Sequence, residues 1–271
     1  AAHTGSLLLV LTTLAALACG DASHADPSRK GSRGSVEQES GGEVVIAPPN
    51  APYRVAAVQS SGKVTGTVSL KSPLTLLPPV PTGRDSALCG PAIADSSLQQ
   101  KGGTGLGNVV VWIEGVRAGR PLPIERRLEL ESADCMLTPR VQGAVIGSAV
   151  NVIGHDVFRQ HLRFIAGGDT AARTVVLLGR DEQVIPTNLP FKSPGMVIIH
   201  DTDHPWPRAY IAVFDHPYFA ITGRDGSFSI DGLPPGKYTL ATWHERTGKH
   251  EQPVEVAANG TTSVKIEIEK Q

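Results

Sequence analysis

The stretch that decides how this chain folds is residues 198–220, IIHDTDHPWPRAYIAVFDHPYFA. It contains three of the nine histidines, His200, His204 and His216, and two corners at which a proline stands beside an aromatic residue. Between the corners, residues 209–214 have the pattern of a strand whose side chains alternate between two faces. A strand framed in this way predicts the junction of two β-rich units, one upstream and one downstream.

The composition of the 271-residue chain predicts short strands and argues against nucleic-acid binding. Its 29 glycines and 21 prolines suit many strands joined by turns. With 25 basic and 26 acidic residues the net charge is -1, which offers no basic surface for nucleic acid. No window shows a helical stripe, whereas pieces such as Gly62–Leu70 and 108–116 have the alternation or apolar content of strands. The predicted fold class is therefore all-β.

The N-terminal region has the features of an export signal. Residues 6–18, SLLLVLTTLAALA, suit the core of a signal peptide and are short for a membrane span. Residues 1–19 are therefore predicted to be a signal peptide that directs export to the periplasm or cell envelope. The ALAC sequence at 16–19 is an imperfect lipobox and predicts lipidation of Cys19, with ordinary signal cleavage as the alternative. Residues 20–61 are polar and proline-rich, and they predict a disordered linker.

The other two cysteines, Cys89 and Cys135, are expected to pair if the chain is exported. An oxidising compartment favours a disulfide between them. Two separate buried thiols are the alternative. Their spacing is unlike that of a zinc cluster.

Residues 219–268 carry a recognisable motif. It runs Thr-x-x-Asp-Gly-x-Phe-x-Ile from Thr222, then LPPGKYTL at 233–240 and VEV…G…VKIEI near the end. This segment resembles the carboxypeptidase regulatory-like (transthyretin-like) domain, and the resemblance implies a small β-sandwich at 216–271. The full domain normally begins with two further strands. Either residues 209–218 supply one, or Gly62–Leu70 and 108–116 fold back to do so.

Residues 128–214 carry a second resemblance. The matching features are Cys135-x-x-x-Pro139, Asn151, the HPW sequence at 204–206 and the strand beginning at Tyr210. They resemble the cupredoxin-like part of bacterial periplasmic proteins of the methylamine-utilisation or plastocyanin-like type. The implied architecture is a cupredoxin-like Greek-key sandwich at 62–215. Because 62–116 could instead pair with the C-terminal unit, the cupredoxin-like part could also be an insertion.

The cupredoxin resemblance implies a metal site that has lost its thiolate. A blue-copper site needs two imidazoles, a thiolate and a weak axial ligand. The imidazole positions fall on His161 and His204, but the thiolate position is Asp201 and the axial position is Pro207. An electron carrier is therefore not expected. The remaining candidates are a copper or zinc site formed by His161, His204, Asp201 and His200, or a loop whose histidines only make structural hydrogen bonds.

A second candidate cluster comprises His216, His244 and Glu245. These residues are expected either to be packing corners at the junction or to face the His204 loop and complete a site there. No nucleophile elbow of the Gly-x-Ser-x-Gly type and no His-Glu-x-x-His helix is present in the sequence. We therefore expect a protein that is not an enzyme.

The function expected from the sequence is binding or structural support at the cell envelope. The partner would be an unidentified envelope protein or a glycan, the membrane would be reached through the lipid anchor alone, and nucleic acid is not expected. The first alternative is a copper or zinc protein with a non-blue site. The second is a carbohydrate-binding module of starch-binding-like fold, in which exposed aromatics would stack on sugars, with Tyr218, Trp206 and Trp243 as candidates.

Overall fold

The structure is a computed structural model that describes residues 52–101, 103–166, 173–179 and 182–269. The predicted signal peptide, Cys19 and most of the predicted linker lie outside these residues. The described chain is almost entirely strand, as the sequence predicted. A 3₁₀ turn at Gly83–Asp85 and a four-residue helix, α1, at Ser86–Cys89 are its helical pieces.

Ten strands lie in the first part of the described chain and ten in the second. The first ten are β1 Arg54–Val55, β2 Gly62–Leu70, β3 Val80–Pro81, β4 Ala92–Ile93, β5 Val110–Glu114, β6 Ala118–Gly119, β7 Arg127–Ala133, β8 Met136–Thr138, β9 Val141–Val145 and β10 Ala149–Gly154. The others are β11 Gln160–Ala166, β12 Arg173–Leu177, β13 Gln183–Pro186, β14 Gly195–Asp201, β15 Arg208–Phe214, β16 Phe219–Ile221, β17 Ser227–Leu233, β18 Gly236–His244, β19 Gly248–Val256 and β20 Thr261–Ile268.

Two sheets form what we call the host sandwich, residues 62–114 and 219–268. One sheet has the strand order β16-β5-β18-β19 and the other has the order β17-β2-β20. Alternation along β2 sends Val64, Val68 and Leu70 inward, as expected for a strand with one buried face. They pack with Leu240 and Ile266 in a single apolar core.

Two further sheets form the inserted sandwich, residues 127–214. Their strand orders are β13-β10-β7-β8 and β12-β11-β14-β15-β9. Leu130, Val152, Leu162, Ile199 and Ile211 are fully buried between them and form a second core. Each sandwich therefore has its own apolar centre, which is what defines a folding unit.

The strand pairing decides between the two arrangements that the sequence left open for residues 62–116, and it places them with the C-terminal unit instead of in a domain at 62–215. Strand β2 pairs in parallel with β20 and antiparallel with β17, and β5 pairs with both β16 and β18. The first strands of the host sandwich therefore come from 62–114, and the cupredoxin-like part is an insertion between β5 and β16. A strand pattern shows that a segment will pair, but the partner of a parallel strand lies beyond a long crossover and is not encoded locally.

The end of the predicted linker is also ordered. Strand β1 pairs in parallel with β6, and the Tyr53 hydroxyl donates a hydrogen bond to the carbonyl of Arg120 at 2.6 Å. The Tyr53 ring lies 6.5 Å from that of Tyr218. The prediction of a disordered linker through residue 61 is therefore wrong for residues 52–61, because an aromatic anchor fixes them to the host sandwich.

The two sandwiches pack sheet against sheet. The outer face of β9 and β15, with Val141, Tyr210 and Ala212, meets Val110 and Trp243 of the host sandwich in a third apolar cluster. On β9 the neighbouring outer position is Gly143, and its lack of a side chain leaves room for the Phe219 ring to lie against the strand. Among the described residues no helix has the length and apolar character to cross a membrane.

Candidate functional site

The His204 loop follows β14 at one end of the inserted sandwich, and a buried carboxylate organises it. The Asp201 side chain accepts hydrogen bonds from the backbone N–H groups of His161 at 3.0 Å and Asp203 at 3.1 Å. It also accepts one from Nδ1 of His204. The other ring nitrogen of His204, Nε2, lies 3.4 Å from a carboxylate oxygen of Asp85. Both nitrogens of this buried imidazole therefore face carboxylates.

The His204 ring lies against aromatic side chains that pack on a disulfide. Its ring centroid lies 4.9 Å from that of Phe158 and 5.0 Å from that of Trp206. These rings pack with a disulfide between Cys89 and Cys135, whose Cα atoms are 5.8 Å apart. The expected pairing of these cysteines is thus present. It ties α1 to the turn after β7 and closes the loop cluster, which we define as Asp85, Asp201, His204 and the residues packed on them.

The residues predicted to bind metal are near one another but are engaged with other groups. Nδ1 of His161 donates to Asp203 at 2.5 Å, and this bond holds the pKa of the Asp203 carboxyl below its usual range. His200 lies on the outer face of β14, with Nδ1 3.2 Å from the carbonyl of Asp201. In the described part of the chain, no three His, Cys, Asp or Glu side chains are arranged to hold a metal ion.

This arrangement does not fit a blue-copper centre. The thiolate position is a carboxylate, Asp201, and it makes a direct hydrogen bond to a ring nitrogen of His204. The axial position is Pro207, which has no donor atom in its side chain. The resemblance therefore implies a metal for which this loop lacks the ligand set. A copper or zinc site of another kind remains a prediction.

The predicted cluster of His216, His244 and Glu245 is divided among different surroundings. Nδ1 of His216 accepts the N–H of Tyr218, and Nδ1 of His244 accepts the N–H of Arg246, both at 3.2 Å. Each imidazole is thus a neutral acceptor at Nδ1. Burial lowers the pKa of His216 to about 4. Burial likewise lowers the pKa of His244 to about 4.

Glu245 is the residue of this cluster that links the two sandwiches. Arg140, just before β9, donates from Nε at 2.5 Å and from a terminal nitrogen at 2.7 Å to the two carboxylate oxygens. The Tyr210 hydroxyl donates to the same carboxylate at 3.3 Å. The side chains of Arg140 and Glu245 are only 10% and 8% exposed. The contact is therefore a buried, bidentate ion pair across the junction.

A groove of about 490 Å³ opens where the two sandwiches meet. The host sandwich contributes Trp112 and Trp243, and the inserted sandwich contributes Met196 and Phe214. The Trp112 and Phe214 ring centroids lie 5.8 Å apart, so both walls of the groove carry aromatic rings. The half-buried state of all four side chains leaves part of each open to the groove.

Charged pairs lie along the rim of this groove. Lys249 binds Glu114 at 2.6 Å, and its Nζ lies 5.6 Å from the centre of the Trp112 ring. On the other side Arg117 binds Asp215 at 2.9 Å. The groove thus combines an apolar floor with hydrogen-bonding groups at its edge, which is the usual make-up of a small-ligand site.

The structure changes the set of aromatic candidates. Tyr218 is fully buried in the host core and Trp206 is buried in the loop cluster, so neither can stack on a ligand. Trp243 does line the groove. Trp112, which sequence reasoning missed, is its partner. The sequence of β5 contained a signal for this. Its apolar run carries an aromatic residue, Trp112, and an acidic residue, Glu114, on the same face of the strand.

Comparison with known proteins agrees with the predicted resemblances. Residues 195–269 match the family described as the carboxypeptidase regulatory-like domain. The match begins in β14, although the fold takes the first host strands from 62–114. No curated protein matches this chain in sequence.

Forms of amicyanin and a Cu-containing nitrite reductase are among the solved structures similar to part of the chain. A reduced Cu(I) form of an amicyanin variant is 20% identical, covers 34% of this chain and 85% of its own, and gives a TM-score of 0.29. A Cu-containing nitrite reductase from Thermus scotoductus is 18% identical, covers 44% of this chain and 25% of its own, and gives 0.28. Likeness at this level carries no inference about copper. The C-terminal region of this chain is similar to the carboxypeptidase regulatory-like domain, and the resemblance predicted from its motif is confirmed.

Proposed function

We propose that this chain is an exported binding protein of the cell envelope, without catalytic activity, and that the junction groove is its ligand site. The observation that carries the proposal is the pair Trp112 and Trp243 in a groove of about 490 Å³. Ligand sites of known proteins have volumes of about 300–1,000 Å³ and are mostly apolar with a few polar groups. In the loop cluster, by contrast, the polar atoms of His204 face the carboxylates of Asp201 and Asp85.

The ligand class that best suits this groove is carbohydrate. A sugar ring offers an apolar face of C–H groups and a rim of hydroxyls. Tryptophan rings provide large apolar surfaces on which the C–H face of the sugar can stack. For the sugar hydroxyls, hydrogen-bond acceptors are provided by Glu114 and Asp215 and a donor by Lys249. The starch-binding-like fold of the sequence-based alternative is consistent with this assignment.

The test is a titration of the full chain with neutral hexasaccharides of glucose and N-acetylglucosamine, followed by tryptophan fluorescence. We expect a saturable change that Trp112→Ala weakens by about threefold to tenfold, since one aromatic contact contributes about 0.5–1.5 kcal/mol. Trp206→Phe is the matched control, because Trp206 lies in the loop cluster. An absence of saturation with every hexasaccharide, or equal loss in both variants, would contradict the proposal.

Copper or zinc binding is the second candidate. What supports it is that the Asp201 carboxylate contacts both the backbone N–H of His161 and the ring of His204, so three residues of the predicted set lie close together. His200 is the fourth residue of the predicted set. Stoichiometric binding of Cu²⁺ or Zn²⁺ by the full chain, abolished in His161→Ala/His204→Ala, would support it. Failure to bind either ion at micromolar concentration would exclude it.

The proposed anchor is tested separately from the ligand. If Cys19 is lipidated, the chain should partition with membranes, and Cys19→Ser should release it into the soluble exported fraction. Release of the unmodified chain in the same fraction as the variant would indicate ordinary cleavage instead.

A further inference from the structure

The floor of the junction groove continues onto an open sheet surface. Met196 lines the groove, and along the same face of β14 it is followed by Ile198 and then His200. Four residues of strand span about 13 Å. Ile198 is 38% exposed and lies opposite Ile165 of β11, which is 36% exposed. An apolar strip thus leads from the groove across the sheet.

Beyond this strip lies a row of three nitrogen-rich side chains. His200 is opposite Arg208 on one neighbouring strand and opposite Arg163 on the other. Directly opposed residues on one face of a sheet have Cβ atoms about 4.5–5.5 Å apart. Both arginines are exposed and His200 is half-buried. We call these residues the basic row.

The described part of this sheet face carries no acidic residue that could balance the basic row. Alternation and burial place these residues on the outer face: His161, Arg163 and Ile165 of β11; Thr174 and Val176 of β12; Met196, Ile198 and His200 of β14; Arg208, Tyr210, Ala212 and Phe214 of β15.

Two carboxylates approach this face from elsewhere, and each has another partner. Asp203 accepts a hydrogen bond from His161 at the edge of the sheet. Glu245 reaches the face through the Tyr210 hydroxyl and is bound by both nitrogens of Arg140. Each carboxylate is thus engaged with a group other than Arg163, which lies at one end of the row on β11.

The two exposed arginines lie on the strands to either side of β14, so an anion that crosses β14 meets both guanidinium groups. The row uses arginine, whose planar group binds a carboxylate through two parallel hydrogen bonds. Since the whole chain has a net charge of -1, the row is a local feature and not part of a generally basic surface.

We propose that the groove and the basic row form one extended site for an anionic polysaccharide. One sugar ring would stack on Trp112, and carboxylates of sugar units further along the polysaccharide would bind Arg163 and Arg208. The proposal rests on the proposed function, because it uses the same groove. A sugar chain is favoured over an acidic peptide because the row is joined to an aromatic groove by an apolar strip, and both suit pyranose faces.

The experiment compares a galacturonic acid hexamer with the neutral hexasaccharides, using the full chain. Arg163→Gln/Arg208→Gln should weaken uronate binding at least tenfold and reduce its salt dependence, while neutral binding stays unchanged. Arg127→Gln is the matched control, because Arg127 is an exposed arginine at the start of β7, on the other sheet of the inserted sandwich. This control variant should change the affinity for neither the uronate hexamer nor the neutral hexasaccharides.

The outcomes separate this proposal from the one on which it rests. The proposed role of the basic row would be wrong if neutral and uronate hexamers bound equally, or if the double variant bound the uronate as tightly as the unmodified chain does. Either result would leave the proposed groove site standing. If uronate binding were weakened by the arginine double variant but not by Trp112→Ala, the basic row would be supported and the groove site would be wrong. Displacement of the uronate by poly-glutamate at equal charge concentration would overturn the assignment to a polysaccharide.

Discussion

The loop cluster and the junction groove are the two places where this chain gathers its less common side chains, and they differ in what those side chains face. In the loop cluster His204 has a carboxylate at each ring nitrogen and rings on two sides. In the groove Trp112 and Trp243 are half-buried, with part of their surface open. A group whose partners are all internal stabilises the fold, whereas a partly open aromatic surface is available to a ligand.

The largest effect of a single substitution is expected from breaking the Arg140–Glu245 ion pair, which links the two sandwiches. Glu245→Ala should lower the free energy of unfolding by about 3–5 kcal/mol, because it leaves the Arg140 charge buried without a partner. Denaturant unfolding measures this. Arg140→Ala/Glu245→Ala should cost less than Glu245→Ala alone. As a control, Asp231→Ala breaks an exposed pair with Lys63 and should cost less than about 1 kcal/mol.

Removal of the disulfide should affect the loop cluster more than the groove. Cys89→Ala/Cys135→Ala should cost about 2–4 kcal/mol, since the bridge closes a loop with a sequence separation of 46 residues. Thermal unfolding gives the loss. Glycan binding should survive below the new melting temperature, and its disappearance there would show that the two regions are coupled.

Acid should destabilise the host side of the junction. The pKa values of His216 and His244 are lowered from 6.5 to about 4, so between these values the unfolded chain binds protons that the folded chain does not. Stability therefore rises with pH in this window and falls on acidification, by roughly 3 kcal/mol for each histidine. Unfolding at pH 7.5 and pH 4.5 measures the slope. His216→Gln and His244→Gln should each flatten it, and an unchanged slope in both would contradict the assignment.

The smallest expected effect is at the exposed edge of the loop cluster. Asp203→Ala removes the hydrogen bond to His161, but both side chains are about one-third exposed and water replaces the partner. The denaturation midpoint should not change measurably. A clear loss of stability would mean that the His161–Asp203 pair supports the buried Asp201, and the contrast between edge and interior would need revision.

Local pattern was sufficient for much of the fold. The alternation of Gly62–Leu70 predicts β2, and the motif beginning at Thr222 predicts the carboxypeptidase regulatory-like region at the C-terminus. Assignment of β2 and β5 to the host sandwich was left open, because a pattern of period two identifies a strand but not its partner. The pairing of Cys89 with Cys135 was expected from compartment chemistry and required the fold to bring the cysteines together.

The sequence by itself determined the all-β class and the two resemblances, since each depends on residue type and spacing along the chain. Only the tertiary structure decided which aromatics are open and which charges are paired. Tyr218 and Trp206 are buried while Trp112 lines a groove, and Glu245 is matched with Arg140, which lies 105 residues away in sequence. Burial and pairing are set by contacts between distant segments, and no local pattern encodes them.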